Sequence, residues 1–266
     1  MFKWSTKPVS VAALVLTVVL VVSVAATATA DPQSEYMEFR YHSGLPGNNS
    51  GVTPEGKVGA AGAVQMCIPV AYTPCRDTYV IDANCGMEQG GLTLDYHEEE
   101  VNGTLNFGIG FGSPGHGVYL DYMVTSDEWE PVYNVQVQVR PNDESGPAIA
   151  IGGIDLVNQR AASNKHPFAG DSRSFYLVAT DQFGTEEHPI YATLGVGTDR
   201  FKGAFGGLCY RFDERLALSA EYDGLGVNSC ATYGLKGPSS SSNAVLFFGI
   251  ADLDRLSYGV TYTKSY

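Results

Sequence analysis

Asp95 and His97 stand two residues apart and run directly into Glu98-Glu99-Glu100. In an extended chain such a pair shares one face, which would suit a general base with an orienting carboxylate, or a cation site. Catalysis also needs a positioned nucleophile, and no Gly-x-Ser-x-Gly elbow occurs in the chain. The run therefore reads as a solvated loop edge. His116, within Ser113-Pro-Gly-His-Gly117, and His166 and His188, each followed by proline, read as loop residues. No enzyme activity is expected.

A second set, Arg211, Glu221 and Asp223, places charge inside otherwise apolar alternation, and Asp155 stands apart as an inward or loop carboxylate with a turn role. Metal and cofactor chemistry find little support. Cys75 and Cys85 lack zinc-ribbon spacing. The glycines at 195, 197, 203, 206 and 207 make no dinucleotide fingerprint and precede no helix. No cofactor is implied.

The elements that must carry these residues are strands. The chain has 266 residues, a net charge of −13, 31 glycines and 11% aromatic residues. That acidity, without clustered Lys and Arg, argues against nucleic acid. Lys3 and Lys7, the apolar run from Val9 to Val22, and Ala28-Thr29-Ala30 read as a cleaved signal peptide over residues 1–30. Two lysines leave with it and no acid, so the exported chain is more acidic still.

From residue 31 onward, period-two alternation recurs between Gly, Pro, Asn and Asp punctuation. In 132–140, Tyr133, Val135, Val137 and Val139 take one face and Asn134, Gln136, Gln138 and Arg140 the other. The pattern predicts about fourteen strands of eight to eleven residues, including 35–42, 57–67, 75–83, 90–97 and a regular series from 103–111 to 257–265. A soluble sandwich uses shorter strands; crossing a bilayer at a tilt takes ~9 to 11 residues. The expected fold is all-β, an antiparallel transmembrane β-barrel of about 12 to 14 strands over residues 31–266, with 31–56 either a first strand or a periplasmic and lumenal segment.

In that barrel, parity sends Glu221, Asp223 and Arg211 to the lumen, where an ion-pair network is the expected arrangement, because a charge facing lipid would cost ~2 to 4 kcal/mol at midplane. Tyr222, Tyr258, Tyr262 and Tyr266 are expected as interfacial aromatics. Cys209 and Cys230 share the inward parity, but one strand between them puts them beyond disulfide reach. Cys75 and Cys85 are the expected couple, and an odd cysteine count leaves at least one thiol free.

The C-terminal half contains Pro147-Ala-Ile-Ala-Ile-Gly-Gly-Ile-Asp155-Leu156, Ser174-Phe-Tyr-Leu-Val-Ala179, Ala192-Thr-Leu-Gly-Val-Gly197, Arg200-Phe-Lys-Gly-Ala-Phe-Gly-Gly207, Tyr210-Arg211-Phe212 and Arg215-Leu-Ala-Leu-Ser-Ala-Glu-Tyr-Asp-Gly224. Over residues 146–266 these phrases resemble the YjbH-type family of outer-membrane proteins linked to exopolysaccharide biosynthesis. Thr53-Pro-Glu-Gly-Lys57 is similar to that family's early turn. The resemblance implies an outer-membrane barrel accessory to exopolysaccharide export or assembly, with lipid, a polysaccharide and other export proteins as partners. Two other readings stay open: a porin-like channel or structural surface barrel, and a soluble periplasmic glycan-binding β-protein. The residues do not choose between an open pore and a plugged one.

Overall fold

The computed structural model describes residues 44–87, 101–125, 131–143, 145–158, 173–201, 203–235, 241–251 and 255–266. Strands β1 (Gly51–Val52) and β2 (Val58–Gly59) form a small hairpin of their own. The wall follows as β3 (Thr78–Met87), β4 (Val101–Ser113), β5 (His116–Thr125), β6 (Pro131–Arg140), β7 (Ala148–Ile154), β8 (Ser174–Gly184) and β9 (Pro189–Gly197). After a 3-10 turn at Asp199–Phe201 it continues with β10 (Gly203–Arg211), β11 (Leu216–Tyr222), β12 (Val227–Gly234), β13 (Ser242–Ala251) and β14 (Arg255–Lys264). These twelve strands close into one barrel in which each is antiparallel to its sequence neighbours, and β14 returns to β3 in register from Ser257↔Gly86 to Lys264↔Tyr79. Closure leaves no unpaired edge.

The alternation of the sequence is the alternation of the wall. Ile81, Phe107, Leu120, Tyr133, Leu177, Leu194, Leu218, Leu246, Phe248 and Val260 are exposed on the outer face. Asp82, Asn106, Asp121, Asn134, Gln136, Gln138, Thr180, Thr193, Glu221, Asn228 and Thr261 are buried on the inner one. A wall apolar outside and polar inside is the reverse of a soluble fold and suits only lipid. The chain is an outer-membrane β-barrel. The soluble glycan-binding alternative fails here, since its oily strand faces would have to meet in a core.

Tight turns close one end. Between β4 and β5 the chain reverses through Ser113-Pro-Gly-His, where Gly112 and Gly115 take φ of +97° and +80°, values a side chain resists. Arg76, at the entry to β3, donates its N–H to Gly112 O at 3.3 Å, and Ser265, beyond the end of β14, lies at the same end. At the opposite end β3 stops at Met87, β4 starts at Val101, β7 stops at Ile154 and β8 starts at Ser174.

Two sequence expectations change. Residues 57–67 are not a wall strand: Lys57 is exposed, β2 pairs with β1, and the stretch then enters the lumen, where Ala63, Val64, Gln65, Met66 and Cys67 are at most 1% exposed. Such a segment is walled in on all sides, so its alternation carries no inside-outside meaning. The 75–83 strand begins later, at Thr78, after Arg76 and Asp77 adopt φ of +55° and +50° to leave the lumen. The 35–42 and 90–97 expectations, the signal peptide, Asp95, His97, Glu98-Glu99-Glu100 and His166 lie outside the described residues.

Candidate functional site

Residues 44–77 thread the barrel as a plug. They supply Leu45, Val52, Ala63, Met66, Ile68, Val70, Ala71 and Tyr72 to a core that also holds Ala150, Val178, Phe205 and Phe247 from the wall. A segment without long regular structure carries many unpaired backbone groups, and burial makes each costly unless it is bonded. The inner wall provides the partners.

The Glu221 carboxylate accepts the N–H groups of two successive plug residues, Met66 on Oε2 at 2.8 Å and Cys67 on Oε1 at 2.6 Å, while Asn228 Nδ2 donates to Oε1 at 3.3 Å. The next peptide carbonyl is taken as well: Arg200 Nη2 donates to Cys67 O at 3.4 Å. That guanidinium also bonds Asp223, to Oδ2 at 3.2 Å and to the backbone carbonyl at 3.2 Å, with both side chains wholly buried. Asp223 Oδ1 in turn accepts the N–H groups of Leu225 and Gly226, so one carboxylate shapes the β11–β12 turn and fixes the arginine. Both N–H groups and the following carbonyl at Met66-Cys67 are thus held by charged groups, the stronger class of hydrogen bond.

Further along, Ala71 N–H donates to Thr180 Oγ1 at 2.8 Å and Thr73 N–H to Gln138 Oε1 at 3.1 Å. The Gln136 amide donates to Val70 O at 3.0 Å and to Thr73 Oγ1 at 2.7 Å, and accepts from Tyr176 Oη at 2.9 Å, which fixes its orientation. Arg211 Nη1 reaches Gly62 O at 3.3 Å, Thr263 Oγ1 donates to Val58 O at 3.1 Å, and Asn49 Nδ2 donates to Asp82 Oδ2 at 2.8 Å. Near the turn end of the barrel, Asn142 Nδ2 donates to Tyr72 Oη at 2.7 Å. Burial drives the Tyr72 phenol well above its ordinary pKa, so it stays neutral and accepts that bond.

The predicted charges are lumenal in the sense of burial: Arg211 is 2% exposed, and Glu221, Asp223 and Asp155 are 0%. They do not form the expected network with one another. Glu221 sits opposite Gly207 of β10, four residues along from Arg211, a spacing of roughly 13 Å in a strand. Arg211 instead bonds the plug and its own turn, at Asp213 O. The buried ion pair of this region uses Arg200, in the 3-10 turn, whose lack of strand parity hid it from the sequence reading. Asp155 ends β7 at φ +50°, its N–H bonded to Asn134 Oδ1 and its carbonyl to Asn158 N–H.

Of the aromatics, Tyr258, Tyr262 and Tyr266 are 45%, 45% and 75% exposed. Tyr266 packs edge-on against Tyr79 under the Lys264 ammonium. Tyr222 differs. It keeps the outward parity of Leu218 yet is buried, its hydroxyl donating to Gly224 O across its own turn. Cys75 and Cys85 are not coupled; all five cysteines are free thiols. Cys75 precedes β3 and Cys85 lies well inside it, a separation of more than ~20 Å at strand rise. Cys209 and Cys230 each face Ser219 across one strand pairing, and Ser219 Oγ bonds Cys230 Sγ at 2.9 Å. His116 and His188 are exposed at the turn end.

No family model matches the chain, and no curated protein does. Among solved structures, the outer-membrane protein Omp33 of Acinetobacter baumannii aligns over 71% of this chain and 98% of its own, at 10% identity and a TM-score of 0.36. A mutant of the Rh. blastica porin aligns over 71% and 99%, at 10% identity and a TM-score of 0.27. These are likenesses of general form alone; the membrane reading rests on the closed wall and its apolar exterior.

Proposed function

We propose that this chain is an accessory barrel in the export or assembly of an exopolysaccharide at the outer membrane, with residues 44–77 keeping its lumen closed at rest. The observation that carries this reading is the filled lumen. A general diffusion pore needs a continuous water path, whereas here Met66, Ile68, Val70, Ala71 and Tyr72 are at most 0% exposed between the walls. A barrel held shut by its own chain suits a scaffold, or a conduit opened only on demand. The polysaccharide class is supported by the resemblance of residues 146–266 to the YjbH-type family.

The test has two readouts on a strain lacking the chain and complemented with it. Secreted exopolysaccharide should fall, or change in length, on deletion and recover on complementation. Purified full-length protein in planar bilayers should be electrically quiet. Unchanged exopolysaccharide together with steady conductance of small ions would refute the proposal and leave a porin-like channel.

A further inference from the structure

The inner wall is not chemically uniform around the bore. Among the described residues, twenty-one polar side chains are buried in the wall strands, and seventeen of them carry an amide or a hydroxyl. The charged four, Asp82, Asp121, Arg211 and Glu221, stand on β3, β5, β10 and β11. On β6, β7, β8 and β9, every residue of which is described, no charged side chain is buried. Arg140 closes β6 at the turn end, where it pairs with Asp143 of its own loop, and Asp181 takes the outward parity of Leu177. Four adjacent strands of the twelve thus offer the lumen amides, hydroxyls and tyrosine rings without charge.

That sector already holds a chain. Gln136 Nε2 donates to Val70 O at 3.0 Å and to Thr73 Oγ1 at 2.7 Å, Thr180 Oγ1 accepts the Ala71 N–H at 2.8 Å, and Gln138 Oε1 accepts the Thr73 N–H at 3.1 Å. The groups recognised are a peptide carbonyl, two peptide N–H groups and a hydroxyl. An acetamido sugar carries all three kinds. Rings stand beside the amides: Tyr176 Oη donates to Gln136 Oε1 at 2.9 Å, and the Tyr191 ring meets the plug's Tyr72 ring edge-on with centroids 6.0 Å apart. A few placed polar groups among aromatic rings are what a site uses to orient a ligand with both apolar and polar faces. The register sets Gln136 level with Tyr176 through Gly152, Gln138 one inward level on, Thr180 beside Thr193 on the next, and Tyr191 on the last. Successive levels are about 7 Å apart, so the groups run along the bore instead of meeting at one point.

We propose that the inner face of β6–β9 is a binding track for an uncharged glycan bearing hydroxyl and acetamido groups, and that residues 70–73 occupy it while the lumen is closed. The inference rests on the exopolysaccharide reading and narrows it to a polymer class. Glycans rich in carboxylate, sulfate or phosphate fit badly. Three of the four buried charges in the wall strands are acidic, which repels anions, and the track holds no buried cation to pair with them. Because plug and glycan compete for the same amides, glycan affinity scales with the fraction of barrels whose plug has left.

The experiment uses full-length protein folded in detergent and titrated calorimetrically with a hexamer of N-acetylglucosamine, with an oligogalacturonate of equal length as the anionic probe. Glu221→Ala, alone or joined to Arg211→Met, removes plug bonds and should bind the neutral hexamer at least about tenfold more tightly than wild type. At low salt the neutral hexamer should bind these variants at least about tenfold more tightly than the anionic one. In the loosened background, Gln138→Leu and Thr180→Val should each weaken binding by about fivefold or more, the worth of one hydrogen bond; residues that served only to seat the plug would, on removal, strengthen it. The heat-dependent shift on SDS gels shows each variant folded. Failure of both loosened variants to bind the neutral hexamer would overturn the track, as would equal binding of the anionic one. Unchanged exopolysaccharide in a strain lacking the chain refutes the accessory role and leaves a measured glycan track standing, whereas a fall in secretion without neutral-glycan binding refutes the track alone.

Discussion

Glu221→Ala should release the plug without undoing the barrel. The substitution removes the acceptor of two buried N–H groups, at 2.8 and 2.6 Å, together with the bond from Asn228 Nδ2 at 3.3 Å. Each buried donor left unpaired costs about 1–3 kcal/mol, giving a gross loss of about 2–6 kcal/mol. The net is smaller, because the wild-type carboxylate regains water whenever the plug leaves; a figure of about 1.5–3 kcal/mol, the worth of a hydrogen bond to a charged group, is the better expectation. At tenfold per 1.4 kcal/mol, the plug should open about 10- to 150-fold more often. Hydrogen exchange read by mass spectrometry on peptides spanning 63–72 measures this directly, with 243–251 of β13 as an internal reference. Glu221→Gln, which retains one acceptor oxygen, should fall between wild type and Ala. Exchange in 63–72 that is unchanged in a folded Glu221→Ala variant would refute the assignment of Glu221 as the anchor.

Arg200→Met removes the buried cation that Asp223 Oδ2 pairs with at 3.2 Å and should destabilise by about 3–5 kcal/mol in urea unfolding, with partial recovery when Asp223→Leu is added. Gly110→Ala should cost about 1–3 kcal/mol because its Cβ would meet the Pro74 backbone at 2.5 Å, whereas Gly207→Ala meets the end of the flexible Gln65 side chain and should be milder; refolding yield and melting rank the two. Phe248→Arg, placed on the lipid face, should make insertion into vesicles less favourable by about 2–4 kcal/mol. Thiol titration of the denatured, unreduced protein should return all five cysteines. In the folded protein Cys75 should label slowly at neutral pH, because burial raises its pKa and thins the thiolate; fast labelling there would show the plug displaced.

The wall was legible because its residues obey a rule the solvent imposes. Asn134, Gln136 and Gln138 alternating with Tyr133 and Val139 can face only one way in a barrel, and the same reasoning located the ends of most wall strands to within a few residues. What stayed hidden lacks that rule. Residues 57–67 alternate weakly and are rich in Ala and Gly, but from Gly62 to Cys67 every residue is buried, so parity carries no meaning there. Arg200 sits in a 3-10 turn, where no period assigns a face.

One signal separates a filled lumen from an open one, and it lies in glycine. On the inner parity of a water-filled pore a glycine answers to nothing, since a larger side chain would project into solvent. Here inner glycines of several strands face an occupant. A Cβ on Gly110 or Gly117 would meet Pro74 or Thr73, and on Gly207 or Gly249 it would meet Gln65 or Met66, all plug residues. Gly108, Gly152 and Gly195 instead receive the rings of Tyr119, Tyr176 and Phe205 from neighbouring strands. Wall aromatics fill part of the bore and the plug fills the remainder, so the inner glycines are the imprint of solid packing. It follows that opening the lumen requires residues 44–77 to move as a body, because no single side-chain rotation clears a path past Met66, Ile68 and Tyr72 while the Glu221 and Arg200 bonds hold.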